Sequence, residues 1–427
     1  MSHLNYDHPS QDIVGSLGSQ LAGKKIALGM CGSVAVVRCV DIARLLMRHG
    51  AQVIPVMTQA ACDLISPELM EWATGHPPVT RLTGAIEHVS LAGNVPNHCD
   101  LVLIAPATAN TIGKIAAGID DTTVTTLVTT ALGQGIPTFI VPAMHEPMYR
   151  HPIVRRNIEQ LNAIGVPVFI PPVSEGKAKI PSPETVIAMV RTLLAFGGSR
   201  PLQGKRVVVT AGRTVEYLDP VRVISNNSSG RMGAELAAAA AALGADVTLI
   251  LGKASVAPPE TVTVRRISTA AEMQTAVYAE LEDAGPTAAG PVDLLIAAAA
   301  VGDWQAAEIS EEKVSTSRTA PYTVELAPTP KIIDRVKDIS PSTRLIAFRA
   351  QASMTPQQLY EDAFARLQKA RADMIVANDI SRPGVGFEHA TNAVTIVHPD
   401  GSRHELPLDD KTGIALGILQ EFLREKN

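Results

Sequence analysis

Short apolar, β-branched runs alternate with stretches of helical periodicity along the whole chain, and this alternation predicts parallel sheets wound by helices. In the first half the strands fall at Lys25–Leu28, Val53–Val56, Leu101–Ile104, Thr138–Val141 and Val168–Ile170. Helices are expected at Val34–His49, Ala109–Ala117 and Ile153–Ile164. The pattern thins between Pro181 and Gly204, and the Gly/Ser/Pro stretch Gly197–Pro201 marks a boundary. It then restarts with strands at Arg206–Thr210, Asp246–Leu251, Leu294–Ala298, Leu345–Phe348 and Met374–Val376. Helices Arg231–Leu243 and Thr355–Arg371 and a surface loop at Asp283–Pro291 lie among them. The expectation is two doubly wound, Rossmann-like α/β domains in series. A tail covers residues 1–22, a first domain 23–200 and a second 201–427. In such sheets ligands bind beyond the carboxyl ends of the strands, so the loops that follow each strand are where chemistry should lie.

Composition narrows the class. A chain of 427 residues, 46% apolar and 19% charged, is globular and long enough for two or three cores. The net charge is −5 with both signs interleaved, so no basic stripe is present to follow a nucleic-acid backbone. No apolar run reaches the ~18 residues of a membrane span, and Ala234–Leu243 reads as a packed helix. Met1–Gln20 has neither a basic nor an apolar leader region and reads as a frayed tail. Cys31, Cys39, Cys62 and Cys99 lie far apart without a CxxC pair, which argues against structural zinc and fits a reducing cytoplasm.

After the first strand comes Gly29-Met30-Cys31-Gly32-Ser33, whose glycines permit a tight turn and whose serine with the helix start offers a phosphate seat. By itself, a plain strand-to-helix turn capped by Ser33 explains it equally well. After the third strand stands Ala105-Pro106-Ala107-Thr108-Ala109-Asn110-Thr111, over-supplied with hydroxyl and amide groups, and after the fourth Pro142-Ala143-Met144-His145-Glu146-Pro147-Met148-Tyr149. Over Lys24–Pro172 these loops resemble the homo-oligomeric flavin-containing cysteine decarboxylases, most specifically in Ala105–Thr111 and the following Lys114-Ile115-Ala116-Ala117-Gly118. The resemblance implies FMN, with Ser33, Thr58, Thr108 and Asn110 holding its phosphate and ribityl chain and Pro106 among the cofactor contacts. Pro142, Ala143 and Met144 would line the substrate side of the flavin, and His88 matches the catalytic histidine, a base suited to neutral pH. Two positions depart from the family pattern. His145 stands where Asn is usual, and Lys179, in Glu175-Gly176-Lys177-Ala178-Lys179-Ile180, stands where a redox-active flap cysteine would fall.

In the second half, Thr210–Glu216 runs on through Asp219-Pro220-Val221-Arg222 into Ser225–Gly233, and this connection, with the loop Asp219–Gly233, is far longer than the usual ~2–6 residues between a strand and its helix, which marks it as functional. Ser228, Ser229 and Gly230 precede an Ala-rich helix, where small residues let phosphates approach the backbone. A GxGxxG fingerprint is absent, which counts against an ordinary NAD dehydrogenase. With Ala299-Ala300-Val301-Gly302-Asp303-Trp304 and Ile375-Val376-Ala377-Asn378-Asp379, Gly204–Phe422 resembles phosphopantothenate–cysteine ligases. The joined chain resembles the bifunctional decarboxylase/ligase family of coenzyme A biosynthesis.

This resemblance implies CTP as co-substrate, with Asn226 and Arg222 handling the acyl-cytidylate and the phosphopantothenate. Ala297, Ala298, Ala299 and Asp303 match nucleotide contacts, with Asp303 also placing cytidine or a Mg²⁺ ion. Lys313 matches the first lysine of a triphosphate flap whose other two positions are Ser315 and Thr316 here, which shifts weight to Arg213, Arg366 and Lys369. Pro330, Lys331, Ile332, Ile333 and Phe348 fall where the base is gripped, and His145 would bind a substrate carboxylate. The family also implies trimeric flavin domains and dimeric ligase domains, together a dodecamer, with small-molecule partners only. Two alternatives stay open: a ligase whose flavin half is inactive or altered, and a flavin-binding regulatory protein.

Overall fold

The run Leu101-Val102-Leu103-Ile104 is apolar on both faces, and its strand is buried at every position, as the middle of a helix-covered parallel sheet requires. It belongs to the first of two compact units, Met1–Arg200 and Pro201–Asn427. The computed structural model describes residues 8–169, 177–178, 180–282, 290–314 and 323–424.

In the first unit, β1 (Lys25–Met30), β2 (Gln52–Met57), β3 (Leu101–Ala107) and β4 (Thr138–Pro142) form a parallel sheet in the order β2-β1-β3-β4. This is the flavodoxin-like winding. Single bridges, Val56 to Val79 and Ile140 to Val168, extend its two edges. The strand expected at Val168–Ile170 is thus a bridge at Val168, and Ile170 lies outside the described residues. The helix expected from Val34 is split into a 3₁₀ turn, Val34–Arg38, followed by α1 (Cys39–Arg48). Val34, Val36 and Val37 are β-branched and crowd an α-helical turn, so a tighter segment intervenes.

The second unit carries an eight-stranded sheet built from β5 (Arg206–Ala211), β6 (Asp246–Leu251), β7 (Thr263–Arg266), β8 (Leu294–Ala297), β9 (Arg344–Gln351), β10 (Met374–Asp379), β11 (Thr391–Val397) and β12 (Arg403–Asp410). Its order is β7-β6-β5-β8-β9-β10-β11-β12. The strands from β7 to β10 are mutually parallel and follow Rossmann winding, whereas β11 and β12 add an antiparallel hairpin. The sequence pattern gave no hint of β7 or β12 because both are mostly exposed and polar edge segments.

The long β5 connection is not irregular throughout: Val215–Tyr217 pairs with Val223–Ser225 as a hairpin. It ends at α2 (Arg231–Ala242), which packs on β5 and on the last helix, α4 (Lys411–Arg424), while α3 (Pro356–Ala370) covers β10. The start of α2 presses hard on β5. A Cβ at Gly233 would sit 2.5 Å from the Ala211 Cβ and 3.0 Å from the Thr210 carbonyl oxygen.

Candidate functional site

In the first unit the strand ends β1, β2 and β3 each deliver a hydroxyl to a helix start. Ser33, Thr58 and Thr108 accept from the backbone N–H of Ala35, Ala61 and Thr111 at 3.4, 3.2 and 3.3 Å. The capping bond uses a lone pair and does not consume the hydroxyl's own O–H. The loops are also stitched together. Ser33 Oγ donates to the Ala143 carbonyl at 3.5 Å, Ala143 N to Ala107 at 3.0 Å, and Cys31 N to Pro106 at 3.2 Å. Ser33, Thr58, Pro106, Thr108, Ala143 and Met144 therefore share one sheet edge, with Asn110 exposed beside them. His145 is exposed, opens a short helix without a capping bond, and pairs through its backbone with Lys177.

His88 lies half-buried on the helix Glu87–Ala92, which packs against the helix Thr123–Gln134. Thr123 Oγ1 donates to the Met57 carbonyl at 2.7 Å, which brings that second helix to the end of β2. The His88 Nδ1 atom is buried and, among the described residues, has no hydrogen-bond partner. Buried polar atoms usually have a partner, so this one stands out.

Three of the four cysteines are buried, and Cys62 is half-exposed. Burial pushes Cys31 up to about 11, against hydrogen bonds from Thr111 and Thr108, and pushes Cys99 up to about 11. Burial raises Cys39 further still, helped by Cys31. All three are buried thiols at neutral pH, and Lys179 lies outside the described residues.

The second unit holds a cavity of about 280 Å³ at the carboxyl edge of its sheet. Its walls come from the ends of β5, β8, β9 and β10 (Thr210, Ala297, Phe348, Asn378), from the start of β11 (Asn392) and from the start of α2. Of the residues singled out from sequence, it gathers Asn226, Ala297, Ala298, Ala299, Asp303, Pro330, Lys331, Ile332, Ile333, Phe348 and Arg366. Asn226 Nδ2 donates to the carbonyls of Ala300 and Val301 at 3.4 and 3.1 Å, which fixes its amide at the rim.

Arg222, Lys313 and Lys369 do not line this cavity. The Arg222 guanidinium pairs with Asp219 at 3.1 Å, and Lys369 is exposed, 3.8 Å from Asp334. Arg213 instead holds the Ser228 carbonyl at 2.6 Å, bracing the loop from behind. Asp219, which opens the loop singled out from sequence but was given no role there, explains part of this layout. Its buried carboxylate accepts from Val221 N and Arg222 N at 2.7 Å each and from Val314 N at 3.2 Å. Burial raises the Asp219 carboxyl, but those backbone donors and the Arg222 guanidinium outweigh burial and hold it below the usual carboxylate range. One carboxylate thus ties the Arg222 turn to the neighbour of Lys313.

The charges in the cavity are mostly paired. Lys331 bonds Asp303, Arg349 grips Asp362 at 2.7 and 3.1 Å, and Arg366 meets Asp334 at 2.5 Å. Arg231 and Lys411, neither anticipated from sequence, also line it, and among the described residues neither is ion-paired. The only sequence signal for Lys411 is a lysine opening an apolar helix, a pattern shared by countless solvated lysines. Among the described residues no three His, Cys, Asp or Glu side chains cluster to hold a metal, so Asp303 offers one carboxylate on its own. No helix among them is long and apolar enough to cross a membrane.

Comparison with known proteins matches both halves. The family model "Flavoprotein" covers residues 15–195, and "DNA/pantothenate metabolism flavoprotein C-terminal domain" covers residues 202–425. The chain is 44% identical over 415 residues to the coenzyme A biosynthesis bifunctional protein CoaBC of Thermococcus kodakarensis, spanning 97% of this chain and 98% of that protein. It is 35% identical over 416 residues to the CoaBC protein of Bacillus subtilis, spanning 94% and 97%. A solved C-terminal domain of a CoaBC protein is similar at 33% identity and a TM-score of 0.43, covering 53% of this chain and 98% of that one. With relatives matched from end to end and both domain models in order, this chain belongs to the family of bifunctional CoaBC proteins of coenzyme A biosynthesis.

Proposed function

We infer that this chain joins 4′-phosphopantothenate to L-cysteine using CTP, then decarboxylates the resulting 4′-phosphopantothenoylcysteine to 4′-phosphopantetheine with FMN. The observation that carries the ligase half is the gathering of Asn226, Ala297, Asp303, Lys331, Phe348 and Arg366 from distant segments around one cavity. A free carboxylate is a poor electrophile at neutral pH. Transfer of CMP onto it creates an acyl-cytidylate with a good leaving group, which the cysteine amine attacks. Asn226, anchored at the rim, orients the acyl group, and Arg222 answers its phosphopantothenate end once released from Asp219. Phe348 and residues 330–333 supply the apolar wall for the base. Lys313, exposed outside the cavity wall, is the cation for the triphosphate. Asp303 receives Mg²⁺ carried by the nucleotide, an ion that commonly takes one or two carboxylates and completes its shell with phosphates and water.

The first unit fits a flavin. Its hydroxyls at Ser33, Thr58 and Thr108 stand at helix starts as phosphate partners, the Ser33 hydroxyl turning from its long 3.5 Å bond to Ala143, and Asn110 and Pro106 lie on the same edge. FMN bound there would supply a reversible two-electron acceptor, taking electrons from the cysteinyl thiol and giving them back to the enethiol left after CO₂ departs. His88 takes the thiol proton, its unpartnered Nδ1 marking a ring that awaits a contact. His145 donates to the substrate carboxylate, and Pro142, Ala143 and Met144 wall the substrate side.

A second reading keeps the ligase and leaves the flavin half inactive or altered. It is favoured by the lack of a flap cysteine and by the burial of Cys31, Cys39 and Cys99. The test supplies phosphopantothenate, cysteine and CTP or ATP, and follows pyrophosphate and CO₂ together. Both products, with CTP preferred, support the bifunctional reading. Pyrophosphate without CO₂ selects the second, and neither product sinks both. We further propose a cytoplasmic homo-oligomer of trimeric flavin and dimeric ligase domains, a dodecamer whose mass light scattering would measure.

A further inference from the structure

Lys411 opens α4 yet is only 4% exposed, and it forms part of the second-unit cavity wall. A buried ammonium is costly unless its charge is answered. Here it is answered by two carbonyls, those of Gly386 at 3.1 Å and Phe387 at 3.2 Å, which leaves one of its three N–H donors over. The charged groups facing it are Arg231 and Glu235, both on α2. Glu235 is engaged by Thr412 Oγ1 at 2.9 Å. Asp409 and Asp410, just before Lys411, turn to backbone N–H groups of Asp410 and Gly413 at 2.7 Å each. From β10 and β11 the cavity receives only the neutral amides of Asn378 and Asn392.

The same cavity is lined by residues 228–233, the entry to α2. Ala234 N is the first amide to bond back into the helix, to the Gly230 carbonyl at 3.1 Å, so the amides of Arg231, Met232 and Gly233 precede any intrahelical acceptor. The Ser229 hydroxyl reaches Arg231 N only at 3.4 Å. A buried ammonium, a guanidinium and a helix entry therefore meet in one cavity, where Asp303 is bonded by Lys331 and, among the described residues, neither Lys411 nor Arg231 is ion-paired. Each repels the others until an anion arrives.

We propose that Lys411 is a substrate-binding residue of the ligase, seating a phosphoryl group together with Arg231 and the first amides of α2. This rests on the ligase reading of the cavity and adds to it a residue outside the set that the family resemblance supplied. The ligand chemistry is a phosphate or pyrophosphate dianion, presented either by the nucleotide or by the phosphorylated acid. Burial, with Arg231 second, pulls the Lys411 pKa down to about 8 while Glu235 opposes them. Occupancy of the seat is therefore sensitive to alkaline pH.

The test titrates inorganic pyrophosphate, CTP and phosphopantothenate separately into the full chain by calorimetry, using wild type, Lys411→Met and Lys411→Arg. Lys411→Met should weaken at least one phosphate ligand by about tenfold or more, and Lys411→Arg by much less. Wild-type affinity should fall between about pH 7 and about pH 9.5 relative to Lys411→Arg, whose charge does not titrate there. A merely structural lysine would not produce that difference, and the arginine arm stands even if the methionine variant fails to fold. Loss on CTP and pyrophosphate assigns the seat to the nucleotide, and loss on phosphopantothenate assigns it to the acid. Wild-type affinities in Lys411→Met, or the same pH dependence in Lys411→Arg, overturn the proposal. Wild type that binds neither CTP nor phosphopantothenate overturns the ligase reading beneath it.

Discussion

Ser229 Oγ and Lys411 Nζ donate to the same acceptor, the Phe387 carbonyl oxygen, at 2.8 and 3.2 Å. The bond pair ties the loop that enters α2 to the first residue of the last helix, through a segment that belongs to neither. The second-unit cavity is thereby bordered by a C-terminal part of the chain that lies beyond the parallel Rossmann strands.

The Asn226 amide is fixed by the carbonyls of Ala300 and Val301, so a carboxylate of the same shape loses those donors and gains repulsion. Asn226→Asp should release pyrophosphate from CTP but form the amide product about 10²–10³ times more slowly. Quantifying pyrophosphate and phosphopantothenoylcysteine in the same reaction separates the two steps. Equal slowing of both would remove Asn226 from the second step.

His88→Asn preserves a polar side chain but cannot accept the thiol proton near pH 7. CO₂ release should drop by about 10²–10⁴-fold while pyrophosphate release continues in the other unit. Normal CO₂ release in this variant would show that the base is elsewhere.

At Gly233 any Cβ meets the Ala211 Cβ at 2.5 Å, and the neighbour is a strand with no freedom to yield. Gly233→Val should destabilise the second unit by about 1–3 kcal/mol and weaken CTP binding by moving the α2 entry. Urea denaturation followed beside CTP titration measures both, and unchanged values for each would refute the close-packing argument.

Asp219 carries a sign that pH can check. Its carboxyl is held below the ordinary value in the fold, so its stabilisation is complete above the unfolded value of about 3.9 and is lost as pH falls through the folded value. Thermal melts should show that wild type loses its advantage over Asp219→Asn as pH drops below about 4. A constant difference between them across that range would contradict the assignment.

Asp303 is a single carboxylate without metal-ligating companions among the described residues, so Mg²⁺ would come mainly with the nucleotide. Chelation by EDTA should stop pyrophosphate release yet leave CO₂ release from preformed phosphopantothenoylcysteine unaffected. Ligation that survives chelation would dismiss the metal.

The strand pattern was legible because parallel strands are buried on both faces and must be apolar throughout, as in β3 and β5. The same logic concealed β7 and β12, which lie outside that buried centre and carry ordinary polar residues. Small residues at the entry to α2 were legible too, since close approach of helix to strand leaves Gly233 no room for a side chain.

The amino-acid sequence by itself determined two wound domains, the loops that bear chemistry and the family those loops resemble, because periodicity and short motifs are local properties. What only the tertiary structure decided is which charges are already answered. Arg366 and Lys331 find carboxylates, Arg222 turns to Asp219, and Lys411, at the start of an apolar helix, ends up buried at the cavity with carbonyls alone. Apart from Arg222 and Asp219, which share one turn, these partners lie in different elements, and how those elements pack decides which of them meet.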